Sequence, residues 1–217
     1  MIPVNAQTEA LRLTGDAGVI EAARDEPLAG VERRGTVVIA HPHPLFGGTM
    51  DNKVVQTLAR AFVQAGWTAV RFNFRGVGAS AGSYDEGRAE TGDMRAVIDQ
   101  VAPDGPLALA GFSFGSYVTS HVLEALWPVR PPEKIVFVGT ATTRFKVAAV
   151  PPDAHERTLV IHGESDDTVP LSDVIDWARP QTLPVTVVPG VGHFFHGQLP
   201  LLKSLVLRHL GDGVPAR

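Results

Sequence analysis

LALAGFSFG, residues 107–115, runs from small apolar residues into a serine set between glycines, in a GxSxG pattern. The unbroken apolar run reads as a strand buried on both faces. Beyond it Val118, Val122, Leu123 and Leu126 recur at helical spacing, so a helix follows almost at once. A strand that turns directly into a helix holds its corner residue in a strained backbone conformation and pushes the side chain out above the sheet edge. Ser113 occupies that corner, at a helix N-terminus where negative charge is favoured. Gly111 and Gly115 suit it because a Cβ at either place would collide with the neighbouring strand or helix. Ser113 is therefore a candidate nucleophile, in need of partners from elsewhere in the chain.

The chain of 217 residues, 44% hydrophobic and 19% charged, fits one soluble α/β domain spanning 1–217. A net charge of −4 and no cluster of Lys and Arg argue against a nucleic-acid surface and against a polyanionic substrate. With no cysteine present, a disulfide, a thiolate metal ligand and a cysteine nucleophile are all excluded. The opening MIPVNAQTEALRL lacks a basic start and an apolar core, and no apolar run nears the ~20 residues that span a bilayer. The expectation is a cytoplasmic protein without a membrane partner; the sequence leaves the oligomeric state open.

Outward from the GxSxG stretch, residues 8–14 and 18–25 alternate apolar and polar around Gly15 and Gly18, as in an antiparallel hairpin with one wet face. Apolar, strand-like runs follow at 36–40, 68–74, 107–112, 134–139, 158–161 and 184–188, and helical patterns at 51–65, 88–101, 116–127, 171–179 and 198–209. Such alternation predicts a mostly parallel sheet covered by helices on both sides, reached through right-handed crossovers. Reactive groups in such sheets collect at the carboxyl ends of the strands. The segments found there are HPHPLFGGTMDNK, RGVGASAGS, the Ser113 corner, HGESDDTVP and PGVGHFFHG.

A serine hydroxyl needs a neutral imidazole to take its proton and a carboxylate to orient that imidazole. Asp166, or its neighbour Asp167, follows the 158–161 strand, and His193 follows the next, giving the chain order Ser, Asp, His that belongs to α/β-hydrolases. A developing oxyanion needs two N–H donors. Phe114, directly after the serine, offers one; the loop after Ala40 offers the other, from His43 or Leu45, because Pro42 and Pro44 have no N–H. Gly47 and Gly48 let this loop pass close beneath a substrate before Thr49 or Asp51 caps the next helix. His41 and His43 in HPHP do not suffice for a metal, since no third ligand sits at ligand spacing. GVGASAG lacks the P-loop lysine, His196 reads as a residue shaping the loop or pocket rim, and Arg75 as one holding its loop through charge pairs. No cofactor or metal is expected.

Together HPHPLFGG, FNFRGVG, GFSFG, HGESDDTVP and GVGHFFHG resemble the α/β-hydrolase superfamily, and within it the small bacterial hydrolases related to dienelactone hydrolases. The likeness covers residues 8–210. It implies an α/β-hydrolase fold with a mostly parallel eight-stranded sheet, with Asp166 as the acid of an HGxxDxxVP pattern, His193 as the base of a GxGH pattern and His43 as the second oxyanion donor. Serine stands where dienelactone hydrolases carry cysteine. Lids in this superfamily usually enter before the strand at 158, and residues 140–157 are too few to build a helical one, so the site is expected to be open. The implied activity is hydrolysis of a small or short-acyl carboxylic ester through an acyl-enzyme, with Leu45, Phe46, Phe194 and Phe195 as candidates for the apolar pocket wall. The alternatives are the same machinery acting on a thioester, peptide or lactone, and a non-catalytic ligand-binding protein of the same fold.

Overall fold

A computed structural model describes residue 4 and residues 8–211. β1 (Glu9–Gly15) and β2 (Gly18–Asp25) form the foreseen antiparallel hairpin. β3 (Gly35–Ala40), α1 (Lys53–Gln64), β4 (Trp67–Phe72), α2 (Arg88–Val101), β5 (Leu107–Phe112), α3 (Phe114–Leu126) and β6 (Lys134–Val138) follow in order. The chain closes with β7 (Thr158–Gly163), α4 (Leu171–Ala178), β8 (Val185–Val188) and α5 (Leu199–Leu210). All eight strands join one sheet in the order β1-β2-β4-β3-β5-β6-β7-β8. It is antiparallel at β1, β2 and β4 and parallel from β4 through to β8.

Alternate residues of the central strands feed two separate cores. Val38, Leu109 and Phe137 pack beneath α2, α3 and α4, whereas Val37, Ile39, Ala110 and Val136 pack beneath α1 and α5. Both faces are dry, which is why β3, β5 and β6 read as continuous apolar runs rather than as alternation. Phe62 of α1 is fully buried in the second core, and truncating such a side chain to Ala costs about 3–5 kcal/mol.

The α1 cap differs from expectation. The helix begins at Lys53, and Asn52 caps it by accepting the Val54 N–H at 2.9 Å. Thr49 instead receives the Asp51 N–H, and Asp51 turns to Arg71, 3.1 Å away. Arg71 is fully buried and also meets Asp25 at 3.2 Å and the Met50 carbonyl at 3.0 Å. A buried charge needs such partners, and here they fasten the loop after β3 to the sheet.

Between β6 and β7 the chain forms no α-helix, only a 3-10 turn at Pro152–Arg157, and no lid stands over the strand ends among the described residues. No helix among the described residues is long and apolar enough to cross a membrane.

Candidate active site

Ser113 sits between β5 and α3 with φ 56° and ψ −117°, a conformation that costs a non-glycine residue about 1–3 kcal/mol. The surroundings enforce it. Its N–H donates to the Val138 carbonyl at 2.8 Å, and the Ser116 hydroxyl donates to the Gly111 carbonyl at 2.7 Å, clamping the corner from below. The two glycines are needed sterically: a Cβ on Gly111 would lie 2.5 Å from the Gly115 carbonyl, and one on Gly115 would lie 2.3 Å from the Ala40 oxygen.

The raised hydroxyl meets the two downstream residues. Ser113 Oγ is 3.0 Å from His193 Nε2, and His193 Nδ1 is 2.6 Å from Asp166 Oδ2. The other oxygen of Asp166 accepts the N–H groups of Thr168 and Val169 at 2.9 and 2.8 Å. Burial alone would push this carboxyl up, but the hydrogen bond and charge of His193, the Val169 N–H and His162 outweigh it and hold it below its ordinary value. An ionised Asp166 fixes the His193 proton on Nδ1 and leaves Nε2 free to accept from the serine. Asp167 is exposed, and it is Asp166, the acid that the HGxxDxxVP resemblance implies, whose carboxylate meets the imidazole.

His162, near the end of β7, is buried and donates its Nε2 N–H to the Val169 carbonyl at 2.9 Å. It thereby holds the turn that presents Asp166. Burial pushes its pKa down, so the ring is neutral.

On the other side of Ser113 the HPHP loop is held by its own imidazoles. His41 is wholly buried, with Nδ1 2.6 Å from the Pro42 carbonyl and Nε2 accepting the Phe74 N–H at 3.0 Å. Burial drives its pKa to about 4, against the opposing effect of the Pro42 carbonyl. Both ring nitrogens are engaged with backbone, which ties the exits of β3 and β4 together. The His43 ring takes the Leu45 N–H on Nδ1 at 3.2 Å and meets the Tyr84 hydroxyl through Nε2 at 3.1 Å. Of the two alternatives in this loop, Leu45 thus has its N–H occupied. The N–H groups of His43 and Phe114 donate to no backbone or side-chain acceptor among the described residues.

Arg75, as expected, holds its loop through Asp93, with contacts of 2.9 and 2.7 Å.

A pocket of about 360 Å³ opens beside Ser113, within the usual range for small-molecule sites. Phe46 and Phe194 line it, as foreseen, and are 72% and 44% exposed. Two expectations are corrected. Leu45 is 67% exposed but turned away from the pocket, because the 3-10 turn Pro44–Phe46 directs successive side chains to different sides. Phe195 is fully buried beneath α1 and α5, since its positive φ of 52° turns the chain back into the core.

Part of the wall comes from residues that no motif marked: Ala141, Thr143, Arg144 and Phe145, from the segment after β6. Their only signal in the sequence is their position at a strand exit. His196 lies outside this pocket, along an adjoining hollow that also borders His193 and Phe194.

Comparison with known proteins agrees with this fold. The signature of the family described as "Serine aminopeptidase, S33" matches residues 31–154. The chain is 36% identical to XC6422 from Xanthomonas campestris, described as an α/β serine hydrolase without lid, over 100% of this chain and 99% of that one, with a TM-score of 0.85. An α/β serine hydrolase homologue from Coxiella burnetii is 35% identical over 97% and 99% of the two chains, with a TM-score of 0.81. The uncharacterized protein RP471 of Rickettsia prowazekii (strain Madrid E) is 30% identical over 179 residues, 73% of this chain and 71% of that protein. These matches establish the superfamily, while the kinship with dienelactone hydrolases rests on the motifs alone. A matched family signature over more than half its length, an eight-stranded hydrolase sheet and a Ser113 corner facing His193 and Asp166 make this chain a member of the serine aminopeptidase S33 family of α/β-hydrolases.

Proposed function

We propose that this protein is a serine hydrolase of small or short-acyl carboxylic esters, working through an acyl-enzyme. The observation that carries the reading is the continuous hydrogen-bonded chain from Ser113 Oγ through His193 to Asp166, at 3.0 and 2.6 Å. Ser113 Oγ attacks the ester carbonyl while His193 Nε2 takes its proton. The carbonyl π electrons move onto oxygen, and the backbone N–H groups of Phe114 and His43 receive the negative charge. As the intermediate collapses, His193 returns the proton to the departing alcohol. Water then enters; His193 takes a proton from it as its oxygen adds to the acyl carbon, then gives that proton to Ser113 Oγ, which leaves as the free hydroxyl with the carboxylic acid released. Asp166 holds the imidazole tautomer throughout and steadies its transient positive charge.

The absence of a lid among the described residues and the pocket volume of about 360 Å³ favour a small substrate. Aminopeptidase action, suggested by the family's description, would require a carboxylate for the substrate's terminal ammonium. No Asp or Glu lines the pocket among the described residues, which favours esters over peptides with a free amino end.

A series of 4-nitrophenyl esters of graded chain length tests the reading. Turnover is expected to be greatest with short acyl groups and to be lost in Ser113→Ala. Preference for long chains, or undiminished turnover in Ser113→Ala, would contradict it.

A further inference from the structure

One feature of the pocket lies outside the proton-transfer machinery. Of the residues that line it, Arg144 alone carries a fixed charge, in a chain whose net charge is −4. Its guanidinium stands 5.7 Å over the Phe46 ring, and cation–π attraction of this kind holds a side chain that would otherwise wander in solvent. Several arginines of the molecule are matched to acids, Arg71 to Asp25 and Asp51, Arg75 to Asp93, Arg88 to Asp85 and Arg179 to Asp176, while Arg60 turns to Gln56 and Arg130 and Arg157 to backbone carbonyls. Arg144 forms no ion pair with a carboxylate among the described residues. The nearby Asp173 is engaged by the Thr143 hydroxyl at 2.6 Å.

The charge reaches the reacting end of the pocket. His43 has its pKa lowered first by burial and then by the positive charge of Arg144. Between Arg144 and Ser113 the walls are aromatic, with Phe114 and Phe145 5.2 Å apart and the His43 ring 5.1 Å from Phe114. The pocket thus offers an apolar body, a hydroxyl nucleophile and one planar cationic fork. A guanidinium fork matches a carboxylate through two parallel N–H···O bonds, and the Arg144 fork is exposed and free to receive one.

We infer that Arg144 makes this pocket selective for esters that carry a free carboxylate on the acyl or the alcohol part, placed against its guanidinium while Ser113 attacks the ester carbonyl. This rests on the ester reading above. No other residue in the pocket supplies charge for recognising an anion, so removal of Arg144 should abolish the preference.

Two matched pairs of substrates test it at low ionic strength. One compares 4-nitrophenyl hydrogen adipate with 4-nitrophenyl hexanoate, which places the carboxylate on the acyl side. The other compares 4-acetoxybenzoate with 4-acetoxybenzamide, which places it on the alcohol side. The readout is the ratio of kcat/KM, anionic over neutral, within each pair, so a general change in turnover cancels. In the wild type at least one ratio should be about tenfold above one, mainly through KM, and should shrink with added salt. It should fall to about one in Arg144→Gln and below one in Arg144→Glu. The pair that responds identifies the side on which the carboxylate sits. Wild-type ratios of one, or a ratio unchanged in both variants, would overturn the inference and leave the ester reading standing. No hydrolysis of any of the four esters would overturn both.

Discussion

The Tyr84 hydroxyl stands 3.1 Å from Nε2 of His43, whose Nδ1 already accepts the Leu45 N–H at 3.2 Å. With Nδ1 occupied as an acceptor, the neutral ring carries its proton on Nε2 and donates it to the Tyr84 oxygen. Tyr84 also packs on Phe114 at a ring distance of 5.8 Å, so it braces both residues whose N–H groups are proposed to receive the oxyanion. Tyr84→Phe keeps the ring and removes the brace to His43. Losing a whole oxyanion donor costs about 10²–10³ in kcat, so loosening one should cost several-fold in kcat with KM nearly unchanged. Steady-state kinetics on a short-chain ester check this; a raised KM with intact kcat would assign Tyr84 to substrate binding instead.

Asp166 and Asp167 should separate cleanly. Asp166 accepts two backbone N–H groups and the His193 proton, and an amide in its place would favour the wrong imidazole tautomer. Asp166→Asn is expected to lower kcat by about 10⁴. Asp167→Asn, at an exposed site, should stay within about twofold. Comparable losses in both variants would contradict the assignment.

The strain at Ser113 predicts a trade of activity for stability. Its φ of 56° suits glycine, which adopts positive φ without steric penalty. Ser113→Gly should therefore be more stable than Ser113→Ala by about 1 kcal/mol, with both inactive. Urea unfolding of the two proteins measures the difference.

His41 makes the fold acid-sensitive. Its folded pKa of about 4 lies below the ordinary value of 6.5, so the unfolded chain binds the proton more readily. The contribution of the neutral ring is fully present above pH ~6.5 and is lost as the pH falls toward the folded value. At pH 5 the loss from His41 should be about 2 kcal/mol relative to pH 7. Unfolding measured at both pH values should show it. His41→Gln, less stable at neutral pH, should have a correspondingly smaller acid loss; equal losses in both proteins would refute this assignment.

The sheet and its helices were legible because Val37–Val38–Ile39 and Leu107–Ala108–Leu109 are buried on both faces and therefore apolar without a break. Ser113, Asp166 and His193 were legible because each sits at a strand exit with a local glycine pattern. What escaped was decided by distant partners. Asp51 is an ordinary N-cap candidate until Arg71, 20 residues later in the chain, draws it away. Phe194 and Phe195 are identical in type, and only the positive φ at Phe195 sends one to the pocket and the other to the core. Arg144 and Phe145 lie in a segment with no periodicity, and they reach the pocket because β6 ends beside β5 in the sheet.

The most direct measurement of the central claim is labelling with a fluorophosphonate probe, read by intact mass and peptide mapping. The wild type should gain one adduct, on Ser113, at a rate that falls steeply in His193→Ala, and Ser113→Ala should gain none. A wild-type protein that remains unlabelled, or an adduct mapped to another residue, would contradict the assignment of Ser113 as the nucleophile.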